Sequence, residues 1–278
     1  MRPLSVIQRY IGFDWHLNTK SVSVPIKKLN RTRFLVRSWL LDGYKAQAHN
    51  AASLHRKLVH ISGIYLLIQP FLRSISVFTN SFQSQRAHLL PPSSVQVDLC
   101  WILSLLEILP DHLPLYRSAP IDLDWWGDAS SLFGIRVTIG GEWAIWKYAP
   151  GVSVGPGKQF NIGWAETVAV ELTLQLAISC NLLSPQHFLV RSNNAGVVSV
   201  LGKGRSQSQN TNTVLKSIYP ILASESIWLS AIYVPSRLNV ADTLSRGDIA
   251  AFLKGFPGAQ TKSSFPLPKH LSNLLISL

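Results

Sequence analysis

The spacing of apolar and polar residues along the chain changes character near residue 118. Before this point, apolar residues recur every three or four positions over long segments, a pattern typical of amphipathic helices. After it, short runs rich in β-branched and aromatic residues are separated by turn signals, as expected of strands. The chain is therefore predicted to contain two domains, 1–118 and 119–250, and a Pro- and Ser-containing tail, 251–278, that is loosely ordered.

The first domain is predicted to be mainly helical, with a β-hairpin at its N-terminus. In the segment YIGFDWHLNTKSVSVP, apolar strands flank a polar turn from Leu17 to Lys20. Helical periodicity covers residues 26–41, continues from Ala51 with breaks near Gly63 and Pro70, and returns over 95–109. The segment 111–120 contains two prolines and is predicted to be a linker.

The second domain is predicted to have the element order βββ-α-β-α-α-β-α. Three antiparallel strands are expected from residue 121 to 150, followed by a well-buried helix over 164–180 and a buried strand over 187–192. Two helices, a last strand over 227–235 and a final helix from residue 239 complete the pattern. This order indicates an α/β (α+β) domain with a mixed sheet flanked by helices.

The charge distribution suggests a polyanionic partner. The chain has 278 residues and a formal net charge of +12. Residues 1–120 hold 14 Lys and Arg against 5 Asp and Glu, whereas residues 121–278 hold 12 against 9. Nucleic acid is the usual partner of such a basic region, although a basic surface that serves only solubility has the same composition.

Several classes of protein are not indicated by the sequence. No apolar run approaches the ~20 residues of a membrane span, and the apolar stretch near the N-terminus is too short for a signal peptide. Cys100 and Cys180 are far apart, which fits a reducing compartment and gives no metal-ligand spacing. We therefore expect an intracellular protein, in the cytoplasm or nucleus, without a membrane partner.

Three acids of the second domain occupy the ends of predicted elements. Asp128 ends the first strand, Glu166 opens the long helix and Asp242 opens the final helix. Carboxylates placed in this way can converge on a hard divalent cation, and metal ions held by such acids promote phosphodiester hydrolysis. Each acid alone also has an ordinary interpretation as a helix cap or helix-dipole partner.

Four motifs carry a resemblance to the RNase H domain of a retroelement reverse transcriptase. They are GDASSLFGI, IGWAETVAVEL, LVRSNNAGVV and, the most specific, VPSRLNVADTLSR. In the first domain, RYIGFDWHLNTKSVSVP is similar to the hairpin after the polymerase active site, and AASLHRKLVHIS to thumb or connection helices. The chain thus resembles the C-terminal part of a DIRS-type or related retrotransposon reverse transcriptase.

The resemblance implies an RNase H-like mixed five-stranded sheet and a site for Mg²⁺ or Mn²⁺ that hydrolyses RNA in an RNA–DNA hybrid. It implies that Asp128, Glu166 and Asp242 ligate metal, with Glu171 as an alternative to Glu166. The family usually has Ser-Asp-Asn where this chain has Ser-Asn-Asn, so Asn193 takes the third acid position without its charge. Reduced metal affinity and weak or lost activity are expected. The chain contains no Asp-Asp pair, so polymerase activity is not expected.

Basic residues in both domains are candidates for phosphate contacts. In the second domain they are Lys203, Arg205 and Arg237. In the first they are Lys27, Lys28, Arg31, Arg33, Arg56 and Lys57. Each of them, taken singly, can equally be an ordinary solvated charge. A non-catalytic nucleic-acid-binding module and a decayed retroelement fragment remain alternative interpretations of the whole chain.

Overall fold

The computed structural model describes residues 6–184, 186–239, 249–255, 261–262 and 264–278. The chain divides into two compact units, Met1–Ser118 and Ala119–Leu278. Both helices and strands contribute to each unit, so the protein belongs to the mixed α+β class.

The first unit combines a small antiparallel sheet with helices. Its strands are β1 (Ile7–Tyr10), β2 (Phe13–His16), β3 (Ser21–Ser23) and β4 (His112–Pro114), paired in that order. Its helices are α1 (Ile26–Trp39), α2 (Ala48–Ile61), a 3-10 helix (Leu66–Phe71), α3 (Leu72–Thr79) and α4 (Ser93–Ile108). The predicted hairpin is present as β2 and β3. The predicted linker contains β4, which pairs with β3 at Val22 and Leu113.

The second unit is built on a mixed sheet. Its strands are β5 (Trp126–Ser130), β6 (Gly134–Ile139), β7 (Glu142–Tyr148), β8 (His187–Ser192), β9 (Trp228–Tyr233), β10 (Thr261–Lys262) and β11 (Leu275–Ser277). Its helices are α5 (Ile162–Ser179), α6 (Ala195–Lys203), α7 (Gln209–Ser224), a 3-10 helix (Ser236–Leu238) and α8 (Ile249–Gly255). The main strand order is β10-β7-β6-β5-β8-β9, and β11 pairs with β7 outside this order. The expectation of five strands is therefore wrong, because the short strands β10 and β11 add to the sheet at β7.

The direction of the strands determines which chain ends meet at the sheet edge. Strands β5, β6 and β7 form an antiparallel meander, whereas β5 pairs parallel with β8, and β8 parallel with β9. Because β5 and β8 are parallel neighbours, the residues at their carboxyl ends lie at the same edge of the sheet.

Helix α5 is packed against β5 and β6. Thirteen of its 18 residues are buried, which explains why its sequence is apolar on most faces. Asn161 begins the helix by accepting a hydrogen bond from the Trp164 N–H at 2.8 Å. A Cβ at Gly127 of β5 would lie 3.0 Å from the Ala169 Cβ, so this glycine permits the close approach of strand and helix.

The turn into β6 requires a glycine. Gly134 has φ of +126°, and a Cβ there would lie 2.0 Å from the Trp146 carbonyl oxygen on β7. The backbone of β7 therefore occupies the space that any side chain would need.

The end of the chain packs on the sheet. Leu271 and Leu275 are buried, and β11 pairs antiparallel with β7. For residues 264–278, the expectation of a loosely ordered tail is therefore wrong. The sequence signal was weak because the strand has only three residues and follows a segment with two prolines.

Candidate functional site

Asp128 and Asn193 meet on the neighbouring parallel strands β5 and β8. Asp128 was predicted to end its strand but is the third of the five residues of β5, level with the end of β8. Asp128 is 4% exposed, and Asn193 follows the last residue of β8. The Asn193 Nδ2 donates a hydrogen bond to Asp128 Oδ1 at 3.1 Å. Asn194 then begins α6 by accepting hydrogen bonds from the N–H groups of Gly196 and Val197, so the chain turns sharply away from the site after Asn193.

A second amide, which the sequence analysis did not identify, binds the same carboxylate. Asn239 is 5% exposed, and its Nδ2 donates to Asp128 Oδ1 at 3.1 Å and to the Gly127 carbonyl oxygen at 3.4 Å. The Asn193 Nδ2 also lies 3.4 Å from the Ser236 hydroxyl. One oxygen of Asp128 thus accepts two amide N–H groups from segments far apart in sequence. Asn239 lies in the motif VPSRLNVADTLSR. This motif was the feature of the sequence that could have identified it.

Glu166 approaches Asp128 from helix α5. It was predicted to open this helix, but α5 begins at Ile162 and Glu166 is its fifth residue, after the first turn. It is 5% exposed, and its pKa is raised well above the ordinary value. Burial is the largest cause and the negative charge of Asp128 the second, while a hydrogen bond with the Ala129 backbone opposes both. The two carboxyl groups are therefore close enough to disfavour simultaneous ionisation.

A buried cation faces this acidic pair from β6. Arg136 is the direct cross-strand partner of Asp128 and is 2% exposed. Its pKa is lowered by burial, which Asp128 partly offsets. In the described part of the chain, its Nε and Nη1 have no hydrogen-bond partner. The sequence signal was an arginine inside GIRVTI, a strand whose other residues are all uncharged.

The remaining acids have different positions. Asp242 lies outside the described residues. Glu171 is fully buried, accepts a hydrogen bond from the Ser217 hydroxyl at 2.5 Å and lies 3.0 Å from His270 Nε2. Glu171 thus connects α5 with α7 and with the C-terminal segment.

The donor atoms at this edge fit a hard divalent cation. Asp128 and Glu166 offer carboxylate oxygens, and Asn193 Oδ1 is buried without a hydrogen-bond partner among the described residues. Oxygen donors of this kind suit Mg²⁺ or Mn²⁺. Within the described segments, no group of three or more His, Cys, Asp or Glu residues comes together to hold a metal ion. The described residues therefore supply two carboxylates and one amide oxygen.

Three basic residues of the second unit are predicted to contact phosphate. One lies beside this edge of the sheet and two lie further away. Arg237 is exposed in the 3-10 helix beside Ser236, which contacts Asn193. Lys203 and Arg205 are exposed at the opposite end of α6, about 13 Å along the helix from Asn194. Arg237 is thus the predicted phosphate-binding residue nearest to the acids.

The cations of the first unit form a cluster on α1 and α2. A depression of about 410 Å³ is lined by Lys27, Lys28, Arg31, Thr32 and Lys57. Arg56 is exposed and donates to the Ala52 carbonyl at 3.3 Å. Arg33 does not line the depression, because its guanidinium binds the Leu106 carbonyl near the end of α4. The assignment of Arg33 as a phosphate contact is therefore not supported, and Arg33 instead connects two helices.

No family model matches this chain, and a search of curated proteins also gives no match. In the described part, no helix is both long enough and apolar enough to cross a membrane.

Proposed function

We propose that residues 119–250 form an RNase H-like domain of a retroelement reverse transcriptase, which binds RNA–DNA hybrid and whose RNA hydrolysis is impaired at Asn193. The observation that carries this proposal is the convergence of Asp128, Glu166 and Asn193 from a strand, a helix and a second strand. The five strands β5–β9, with only β6 antiparallel to its neighbours, accord with the mixed sheet that the resemblance implies.

In this proposal, Asp128, Glu166 and Asp242 hold the cation, and Asn193 contributes a carbonyl oxygen. A bound divalent cation supplies a Lewis acid for attack on the phosphodiester bond. The part played by the protein is to gather negative charge in a buried pocket and to position the nucleic-acid backbone. Asn193 is positioned as that role requires, since its Nδ2 donates a hydrogen bond to Asp128. Its side chain, however, carries no charge.

The missing charge is large enough to decide the activity. At 4 Å and an effective dielectric constant of 20, one pair of unit charges is worth about 4 kcal/mol. A loss of ~4 kcal/mol in the transition state slows a reaction by about three orders of magnitude. We therefore expect very weak hydrolysis by the natural sequence.

Restoring the acid tests this proposal. Cleavage of a labelled RNA–DNA hybrid in millimolar Mg²⁺ should be very slow for the natural sequence and faster for Asn193→Asp. The double variant with Asp128→Asn should lose that gain. Asn194→Asp is the matched control, because it adds the same charge one residue away at a helix cap that aspartate fills equally well.

Two results would contradict the proposal. Full cleavage by the natural sequence would mean that Asn193 does not occupy the metal site. Equal gains from Asn193→Asp and Asn194→Asp would mean that the added charge acts without ligating metal.

A non-catalytic nucleic-acid-binding module is the second candidate. It is favoured by the two amide donors on Asp128 and by the buried Arg136 opposite it, since both stabilise the Asp128 carboxylate without metal. Hybrid binding without cleavage, in both the natural sequence and Asn193→Asp, would favour this module. Absence of binding as well would favour a decayed fragment.

The first unit is proposed to bind the phosphate backbone through the depression on α1 and α2. Among the described residues, three lysines, one arginine and Thr32 line it. Lys57 lies 2.5 Å from the Ser53 hydroxyl, and the pKa of Lys28 is lowered by burial. Such a concentration of cations suits the closely spaced phosphates of a duplex.

A further inference from the structure

Arg136 lies directly opposite one of the acids proposed to bind metal, so its positive charge would repel a bound cation. On adjacent antiparallel strands, directly opposite residues have Cβ atoms about 4.5–5.5 Å apart, and Arg136 is directly opposite Asp128. Arginine keeps its charge in proteins because its pKa is so high. A permanent positive charge therefore lies on a buried residue directly opposite Asp128.

The environment of Arg136 is otherwise poor in partners. Its guanidinium carbon lies 5.7 Å from the centre of the Phe133 ring, and Nε and Nη1 lack hydrogen-bond partners in the described part of the chain. The titratable groups that act on it are Asp128 and the Tyr148 phenol, and Glu166 acts on both of these. A buried cation is strongly destabilising unless negative charge compensates it. Among the described residues, Asp128 is the carboxylate that acts on it directly.

We propose that Arg136 is an internal counter-ion of Asp128, which stabilises this carboxylate in the metal-free protein and opposes the binding of a divalent cation. The described residues of the cluster hold one guanidinium and two carboxyl groups, and these two groups do not readily ionise together. An aspartate at 193 would add one negative charge, and a neutral residue at 136 would remove one positive charge. Arg136 and Asn193 thus each reduce the attraction for metal, and the proposal rests on the proposed function only in taking this cluster as the metal site.

Titration of Mn²⁺ into the full chain tests the proposal. We compare the natural sequence, Arg136→Met, Asn193→Asp and the double variant by calorimetry and by thermal unfolding with Mn²⁺ or EDTA. Arg136→Met should bind Mn²⁺ about tenfold or more tightly than the natural sequence, since the removed charge repels a divalent ion at short range. The double variant should bind it most tightly. Lys147→Met, on the exposed side of neighbouring β7, is the control for loss of one positive charge.

A second measurement needs no metal and covers the case in which Arg136→Met unfolds. In EDTA, Asp128→Asn should destabilise the natural sequence, because it leaves Arg136 buried with less negative charge. Arg136→Gln, which is smaller and polar, should be destabilised less by the added Asp128→Asn than the natural sequence is. This non-additivity reports the coupling between the two side chains directly.

Two results would overturn the proposal. They are equal Mn²⁺ affinities of the natural sequence and the Arg136 variants, and additive effects of the Asp128 and Arg136 substitutions. The hybrid-cleavage assay is a separate readout. Failure of Asn193→Asp to cleave would count against the proposed function while leaving the Mn²⁺ and coupling results to decide the role of Arg136.

Discussion

Single residues at the sheet edge set how stability depends on pH. The pKa of Glu166 is raised by burial and by Asp128, so the folded state holds this proton more tightly than the unfolded chain does. The fold therefore loses stability as pH rises from the unfolded pKa, ~4.3, towards the folded pKa. Each tenfold difference in proton affinity corresponds to about 1.4 kcal/mol.

Glu166→Gln should remove this loss. In EDTA, we expect the variant and the natural sequence to be equally stable near pH 4, and the variant to be more stable by ~1 kcal/mol or more at about pH 8. Urea unfolding across this range measures the difference. Glu225→Gln, at an exposed glutamate that ends α7, is the control for loss of a carboxylate. A Glu166→Gln variant that is less stable at high pH would contradict the expectation.

Asp128, Glu166 and Asn193 were predictable because each lies in a recognisable motif, although Asp128 lies inside its strand and Glu166 after the first turn of its helix. The same reasoning did not reach Arg136 or Asn239. An arginine inside a strand reads as a solvent-facing position, and only the register with β5 places it beside Asp128. Arg33 was assigned to phosphate contact for the corresponding reason, since sequence spacing does not reveal the Leu106 carbonyl that it binds.

The helices were predictable from their strong apolar periodicity, whereas the short strands that the sequence did not indicate depend on pairing with other strands. Helices α1 and α4 lie where the apolar spacing predicted them, and α7 continues through Pro220. The strands β4 and β11 have three residues each and are stabilised by their partners β3 and β7. Such short strands have no independent signal, because an isolated extended segment of three residues has no preferred structure.

The packing of β11 predicts unequal effects of substitutions at neighbouring positions. Leu275 is 2% exposed, whereas Ile276 is 49% exposed. Leu275→Ala should destabilise the second unit by about 2–5 kcal/mol, as large-to-small substitutions in a core do. Ile276→Ala should cost less than ~1 kcal/mol. Thermal unfolding of the two variants checks the difference, and equal losses would mean that β11 is not part of the core.

At the scale of the whole molecule, the uneven charge leads to a prediction about nucleic-acid binding. Residues 1–120 carry a net charge of +9, and the depression lined by Lys27, Arg31 and Lys57 lies within this region. Each phosphate neutralised on B-form DNA contributes a slope of about −0.9 to the logarithmic dependence of affinity on salt. We expect the natural sequence to bind duplexes with little sequence preference and with affinity that falls steeply as salt increases.

Replacing Lys27, Arg31 and Lys57 by glutamine should reduce this slope by up to about 2.7 and weaken binding similarly on all sequences, because all three contacts are to phosphate. The matched control replaces three exposed lysines of the second unit, Lys147, Lys158 and Lys269, and alters the net charge equally. Binding is measured in EDTA over a series of salt concentrations, where Asp128→Asn should bind as well as the natural sequence.

If the control triple changes the slope as much as the Lys27, Arg31 and Lys57 triple, then net charge is responsible and the depression is not a phosphate site. A slope near zero for the natural sequence would contradict nucleic-acid binding through these cations, because neutralisation of phosphates by lysine and arginine releases counterions.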